Sequence, residues 1–203
     1  MNTTTFPQLR FVTARLSAEP VSAADFPFFH ALWSDERVAR TLGGVRSTEQ
    51  VRTALAEAVA HWEAYGFGRW ILRHQGIVVG TVKLAHCRVR DRAEVELGYA
   101  LLRSAWGCGY ATEAGAGALC YARQVASLDD VVAYALLSNV PSLAVLDRLG
   151  FAAEAELDLP AGRHRLYRKV LAAPLIGTEH SDAAAGESDA AAGEVTCSAP
   201  LES

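Results

Sequence analysis

Residues 106–114 read Trp106-Gly107-Cys108-Gly109-Tyr110-Ala111-Thr112-Glu113-Ala114, WGCGYATEA, between an alternating apolar run and a segment with helical spacing. Glycines let a backbone turn tightly and approach a ligand closely. A helix that opens there adds unpaired N–H groups and the positive end of its dipole. Such a nest suits a phosphate, and a pyrophosphate especially. On these nine residues alone, a plain strand-to-helix turn stays equally open. Two nucleotide-binding patterns are excluded. The chain has no Gly-Lys pair, so the mononucleotide loop G-x-x-x-x-G-K-[ST] is absent. A dinucleotide fingerprint would need a third glycine where Thr112 stands. Its ribose-binding acid would also lie at the far end of the next strand, whereas Asp129-Asp130 precede that strand.

Outward from this stretch, the spacing predicts a strand over 93–102. Val95, Leu97, Tyr99 and Leu101 lie on one face, with Glu94, Glu96, Gly98 and Ala100 on the other. A helix runs on to about Ala126, followed by a buried strand over 130–137 and a short helix over 140–149. Gly150 then closes a Schellman stop with Phe151 against Leu146. A last strand covers 163–171. Upstream, 69–73 and 77–84 form a hairpin around His74-Gln75-Gly76. Two helices come before it. One spans 22–40, with Ser22 and Asp25 as caps, and the other runs from Ser47-Thr48-Glu49-Gln50 to about Tyr65, with a stripe of Val51, Leu55, Val59 and Trp62. The order ααβββαβαβ reads as an α/β layer on a mixed sheet.

The 203 residues have 51% hydrophobic content, enough to bury a real core, and one domain is expected. From Ala173 onward there are six acids, no Lys or Arg, and SDAAAGE twice in tandem. Residues 173–203 therefore read as a disordered acidic tail and 1–172 as the folded domain. That domain holds 19 basic against 17 acidic residues, too near neutrality for general nucleic-acid binding. No apolar run reaches membrane-spanning length and no secretory signal is read, which leaves a cytoplasmic protein as the expectation. Cys87, Cys108, Cys120 and Cys197 are widely spaced, fitting a reducing compartment better than a disulfide framework or a zinc knot. The six histidines show no metal spacing, so no metal is expected.

With Glu96-Leu97-Gly98-Tyr99 before it and Asn139, Ser142 and Leu149-Gly150-Phe151 after it, the WGCGYATEA stretch resembles the GCN5-related N-acetyltransferase superfamily. The nearest likeness is to the ribosomal-protein N-terminal acetyltransferase branch, the RimJ/RimL-like proteins, whose N-terminal half Thr13-Ala14-Arg15-Leu16 and Ser34-Asp35-Glu36-Arg37-Val38 also resemble. The likeness covers roughly residues 9–171. It implies a GNAT-like, largely antiparallel sheet with splayed central strands. It implies acetyl-CoA as co-substrate, with pyrophosphate on the backbone of Trp106, Gly107, Cys108, Gly109, Tyr110, Ala111 and Thr112. Pantetheine would lie between strands 93–102 and 130–137, held in part by Asn139, with the backbone around Leu101 and Leu102 polarising the thioester carbonyl. A homodimer is an expectation of the same kind.

Amine acetylation needs a base, a polarised carbonyl and a proton for the departing thiolate. Glu96 is the best-placed base and Glu94 the second, each with the alternative of a solvated or ion-paired sheet carboxylate. The tyrosine that many superfamily members carry seven residues after the Asn is Leu146 here. The branch resemblance points instead to Ser142 beside the sulfur, its alternative being a helix-capping serine. Asn139 could equally be only a cap beside Pro141. Cys108 near a helix N-terminus raises covalent catalysis, but a bound pyrophosphate would oppose its thiolate. Trp33, Trp62, Tyr65, Phe67 and Trp70 line an acceptor pocket or, more commonly for such residues, a core. The resulting expectation is direct transfer of acetyl from acetyl-CoA to a primary amine, either a protein N-terminus or a small molecule. A non-catalytic acyl-CoA-binding sensor is the rival.

Overall fold

The structure is a computed structural model and describes residues 9–171 and 195–196. Nine strands form one sheet in the order β7-β8-β6-β5-β4-β3-β2-β1-β9. Their ranges are β1 Phe11–Val12, β2 Leu16–Pro20, β3 Arg69–His74, β4 Ile77–Val89, β5 Arg92–Leu101, β6 Asp130–Leu136, β7 Ala152–Leu159, β8 Gly162–Val170 and β9 Val195–Thr196. The helices are α1 Phe26–Ser34, α2 Glu36–Ala39, α3 Thr48–Tyr65, α4 Tyr110–Gln124 and α5 Val140–Arg148. The pairing is antiparallel except at β5–β6 and β1–β9. The mixed α/β architecture expected from the sequence is the one observed.

Local chemistry explains the element ends. In α3, Ser47 Oγ accepts from Gln50 N–H at 3.2 Å while Gln50 Oε1 accepts from Ser47 N–H at 2.8 Å, a reciprocal cap. The helix stops at Gly66, whose φ of +72° suits glycine. Gly150, with φ +71°, ends α5 as expected: Phe151 N–H reaches Leu146 O at 3.1 Å and Gly150 N–H reaches Asp147 O at 3.0 Å. The single helix read over 22–40 is instead a 3-10 turn at Ala23–Asp25 followed by α1 and α2. Asp35 breaks it with extended backbone, and its carboxylate accepts from Arg37 N–H to start α2.

Three strands escaped the periodicity. β1 and β2 are very short, and β7 (AAEAELDL) is an Ala- and acid-rich edge strand without the apolar alternation that marks a half-buried one. At Val195–Thr196 a two-residue strand stands where disorder was expected, and the rest of that expectation lies outside the described residues. Cys87 and Cys108 are free thiols, but Cys120 is disulfide-bonded, so the reading of reduced cysteines fails there.

The core lies under α4. Trp70, Tyr121, Phe11 and Trp62 pack edge-to-face around Ala114 and Ala118 of that helix. Among the aromatic residues considered for an acceptor pocket, Trp33, Trp62, Phe67 and Trp70 are core and Tyr65 is exposed. His61 is structural too. Its ring accepts from the His86 N–H at 3.1 Å and meets Phe67 O at 2.8 Å, covering the stretch of β4 beyond its pairing with β3.

Candidate functional site

The site begins where β5 and β6 part. The two strands register only at Glu96↔Val132, while β6 continues along β8 as far as Leu136. Leu102 N–H bonds Val79 O at 3.0 Å, which sets the alternation of the β4–β5 ladder. The N–H and C=O groups of Tyr99 and Leu101 therefore point away from β4 and into the gap. Trp106 Nε1 donates to the Leu101 carbonyl at 3.0 Å, so the Leu101 N–H is the group left facing the opening. Leu102 cannot share that task, because its N–H is held by Val79 and its carbonyl accepts from Ala105 N–H at 2.9 Å.

Below the gap, the glycine stretch forms the nest expected of it. Gly107 and Gly109 take φ of +74° and +80°, and Gly109 is the N-cap of α4. No backbone N–H from residue 107 to residue 112 finds a protein partner among the described residues; the first bond of the helix is Glu113 N–H to Gly109 O at 3.1 Å. Consecutive free amides at a helix N-terminus can bind two adjacent phosphates. Cys108 is exposed there, with only its own Trp106 carbonyl within reach at 3.6 Å.

The loop is clamped by residues given no role in the sequence reading. Arg15 pairs with Glu113 at 2.6 Å, donates to Cys108 O at 3.0 Å and lies over the Tyr110 ring at 4.7 Å. Thr13 and the Arg15 N–H both donate to the Glu113 carboxylate. Burial pushes the Glu113 carboxyl up, but these donors outweigh it and hold it below its ordinary value. The Thr13-Ala14-Arg15-Leu16 motif thus fastens the β1–β2 hairpin to the first turn of α4.

On the α4 side of β5, Tyr99 Oη and Ser142 Oγ are 2.9 Å apart, and Tyr99 also donates to Ser142 O at 3.1 Å. Burial pushes the Tyr99 phenol up to about 12, against the hydrogen bond to Ser142, so it stays protonated at neutral pH. Asn139 caps α5, its Oδ1 accepting from Ser142 N–H at 3.4 Å. Leu146 is 1% exposed in the core.

On the opposite side, Glu96 is 7% exposed. Its Oε2 accepts from Lys83 Nζ at 2.6 Å and from Tyr134 Oη at 3.3 Å. Its Oε1 lies over Gly98, where a Cβ would stand 3.2 Å away, and has no protein donor among the described residues. Glu94 is closed off: Arg168 grips both its oxygens at 2.8 and 3.0 Å and holds its carboxyl below the usual range. That removes Glu94 as a candidate base. Among the described residues, no group of His, Cys, Asp and Glu could hold a metal ion.

This arrangement can seat an anion on the nest, pass a narrow thiol-bearing arm through the gap and present a carboxylate oxygen on the far side. The family model of the GNAT acetyltransferase domain matches residues 15–152. The YkkB protein of Bacillus subtilis is 25% identical over 124 residues, covering 60% of this chain and 72% of the relative. An acetyltransferase structure from Agrobacterium tumefaciens str. C58 superposes with TM-score 0.71 at 25% identity, over 83% of this chain and 98% of that one. A GnaT-family acetyltransferase from Bordetella pertussis gives 0.71 at 26%, over 80% and 100%. Two structures share the fold at lower identity. RimL, a ribosomal L7/L12 α-N-protein acetyltransferase with coenzyme A, gives 0.65 at 18%, over 78% of this chain and 95% of that one. A spermidine N-acetyltransferase from Vibrio cholerae with CoA and spermine gives 0.66 at 16%, over 78% and 96%.

Proposed function

The chain belongs to the GNAT acetyltransferase family and is an acetyl-CoA-dependent acyltransferase, and on that premise we propose direct acetyl transfer to a primary amine within a ternary complex. The observation that carries this reading is the run of unpaired amides over residues 107–112 at the foot of the β5–β6 gap. Pyrophosphate binds these N–H groups and pantetheine follows the gap past Asn139. The thioester carbonyl accepts from the Leu101 N–H, which strengthens as the oxygen gains charge.

Glu96 Oε1 takes the amine proton, directly or through one water, while Lys83 and Tyr134 hold Oε2 in place. The amine nitrogen attacks the acetyl carbon, the C–S bond breaks, and the sulfur leaves as thiolate. The Ser142 hydroxyl passes it a proton and regains one from water, as Glu96 returns the amine proton to solvent. Tyr99, whose phenol donates to the Ser142 carbonyl, holds the serine in place. Leu146 supplies nothing to this step. Cys108 forms no acyl intermediate, since a thiolate there would face the pyrophosphate.

The RimJ/RimL-like branch and a cytoplasmic homodimer are the finer parts of this reading, and the acceptor is a protein N-terminus or a small amine. Leu146 in place of a family tyrosine favours the sensor as second reading. A thermal shift with acetyl-CoA, run beside thiol release on a panel of amines and N-terminal peptides, separates the two. Stabilisation with thiol release is the expected result. Stabilisation with no release on any acceptor favours the sensor, and no stabilisation by any acyl-CoA overturns both.

A further inference from the structure

The Glu96 face of the sheet carries more positive charge than its carboxylate answers. Arg69, Lys83 and Gly98 stand in register across β3, β4 and β5, so both cations project on the side of Glu96. Lys83 is spent on Glu96 at 2.6 Å. Among the described residues Arg69 makes no close ion pair and donates no side-chain hydrogen bond. Glu96 acts on it only at longer range, and its guanidinium lies over Phe29, 5.8 Å from the ring centroid. It keeps partial surface accessibility, yet burial lowers its pKa to about 10.

The residues beside Arg69 come from α1 and from the segment just before α3. Phe29 stacks on Trp33 at 5.3 Å, and Arg46 lies over the Trp33 ring at 4.6 Å. Trp33 is 6% exposed, and its indole N–H is buried with no partner. Among the described residues Arg46 has no ion pair either, and its charge is close enough to Arg69 to work against it. Two like charges and an orphaned donor in one place raise the energy of the free protein, and an anion relieves all three at once. Arg offers a fork of N–H donors matched to carboxylate and phosphate oxygens.

Resting on the acetyl-transfer reading, we propose that the acceptor carries a carboxylate or phosphate beside its amine, bound by Arg69, Arg46 and Trp33 Nε1 while the amine faces Glu96. The anion is held on β3 and α1, two strands away from the reacting nitrogen, so it orients the amine without touching the acetyl group. Neutral amines enter the same cleft but lack this anchor.

The test is acetyl-CoA-dependent thiol release on matched pairs of equal length: 4-aminobutanoate and its amide, 2-aminoethyl phosphate and ethanolamine, and the amidated dipeptides Ser-Asp and Ser-Asn. In at least one pair the charged member shows kcat/KM at least about tenfold higher, and the pair that does so identifies the source of the anion. Arg69→Met raises KM for that member on the order of 10- to 100-fold, leaves its neutral partner unchanged and leaves the acetyl-CoA thermal shift intact. Because Arg69 is desolvated and its removal could impair folding, Arg46→Gln and Trp33→Phe serve as milder variants. Trp33→Phe, which deletes only the N–H donor, costs about 3- to 10-fold on the charged member alone. Equal turnover within every pair, or variants that weaken charged and neutral members alike, overturns the anion subsite while leaving acetyl transfer standing. Absence of thiol release from all six, with acetyl-CoA bound, overturns the transfer reading and the subsite with it.

Discussion

Glu94 and Glu96 stand two residues apart on the same face of β5, both almost fully buried, and their surroundings are opposite. Arg168 of β8 binds Glu94 bidentately while also reaching Asp130 and Glu154, and Arg92 lies 3.4 Å from Glu94. Both Glu94 oxygens are held. At Glu96 β5 makes its one registered pair with β6 before the two part, one carboxylate oxygen is held, the other is open, and Arg69 nearby has no close ion pair among the described residues. Buried charge is costly unless paired, so a closed network serves the fold and an open one is retained at a cost in stability. The difference separates a structural carboxylate from a working one at a spacing of two residues.

The sharpest way to break this comparison is to neutralise Glu96 and, separately, to remove the partner of Glu94. Glu96→Gln should lower kcat by about 10²- to 10⁴-fold with acetyl-CoA affinity intact. An unchanged pH–rate profile would remove Glu96 as the base. Arg168→Met should leave kcat within about twofold but cost roughly 2 to 3 kcal/mol of stability, because buried Glu94 loses its bidentate partner and keeps only Arg92, at 3.4 Å; differential scanning calorimetry would show a Tm lower by on the order of 5 to 10 °C. The acid dependence follows from the same pair. The Glu94 carboxyl titrates below its ordinary 4.5 when folded, so its contribution is present above that value and is lost as pH falls through the depressed one. Arg168→Met should flatten that loss in acid denaturation curves, and an unaltered curve would place the acid sensitivity elsewhere.

Smaller effects test the other side of β5. Tyr99→Phe should reduce kcat about 5- to 20-fold with KM for acetyl-CoA unchanged. If the phenol and Ser142 work as one unit, adding Ser142→Ala to Tyr99→Phe costs little more than either alone; additive losses would separate them. Cys108→Ala is the smallest: turnover should stay within about twofold, and lost turnover with retained acetyl-CoA binding would revive a covalent route.

Much of this was legible in residue order. The strand before the glycines, the helix opening at Tyr110, the Ser47 cap and the Gly150 stop are all local, set by backbone conformations and side-chain caps within a few residues. Glu96 was legible as a residue on the face of an alternating strand opposite Val95 and Leu97. Illegible were the partners that choose between readings. Lys83 and Tyr134 reach Glu96 from 13 and 38 residues away, Ser142 reaches Tyr99 from 43, and Arg15 reaches Glu113 from 98. β7 was missed because an edge strand of alanine and acid is held by its ladder to β8 and carries little apolar pattern.

By itself, the sequence determined the α/β layer, the glycine nest and the family, because periodicity, caps and glycine conformations are properties of neighbouring residues. Only the tertiary structure decided which of two identical carboxylates keeps an open oxygen, that Leu102 is spent, that a tyrosine stands behind Ser142 and that Arg69 lies over Phe29. Those facts depend on contacts between distant strands, where desolvation and pairing set the behaviour of a charge more strongly than its residue type does.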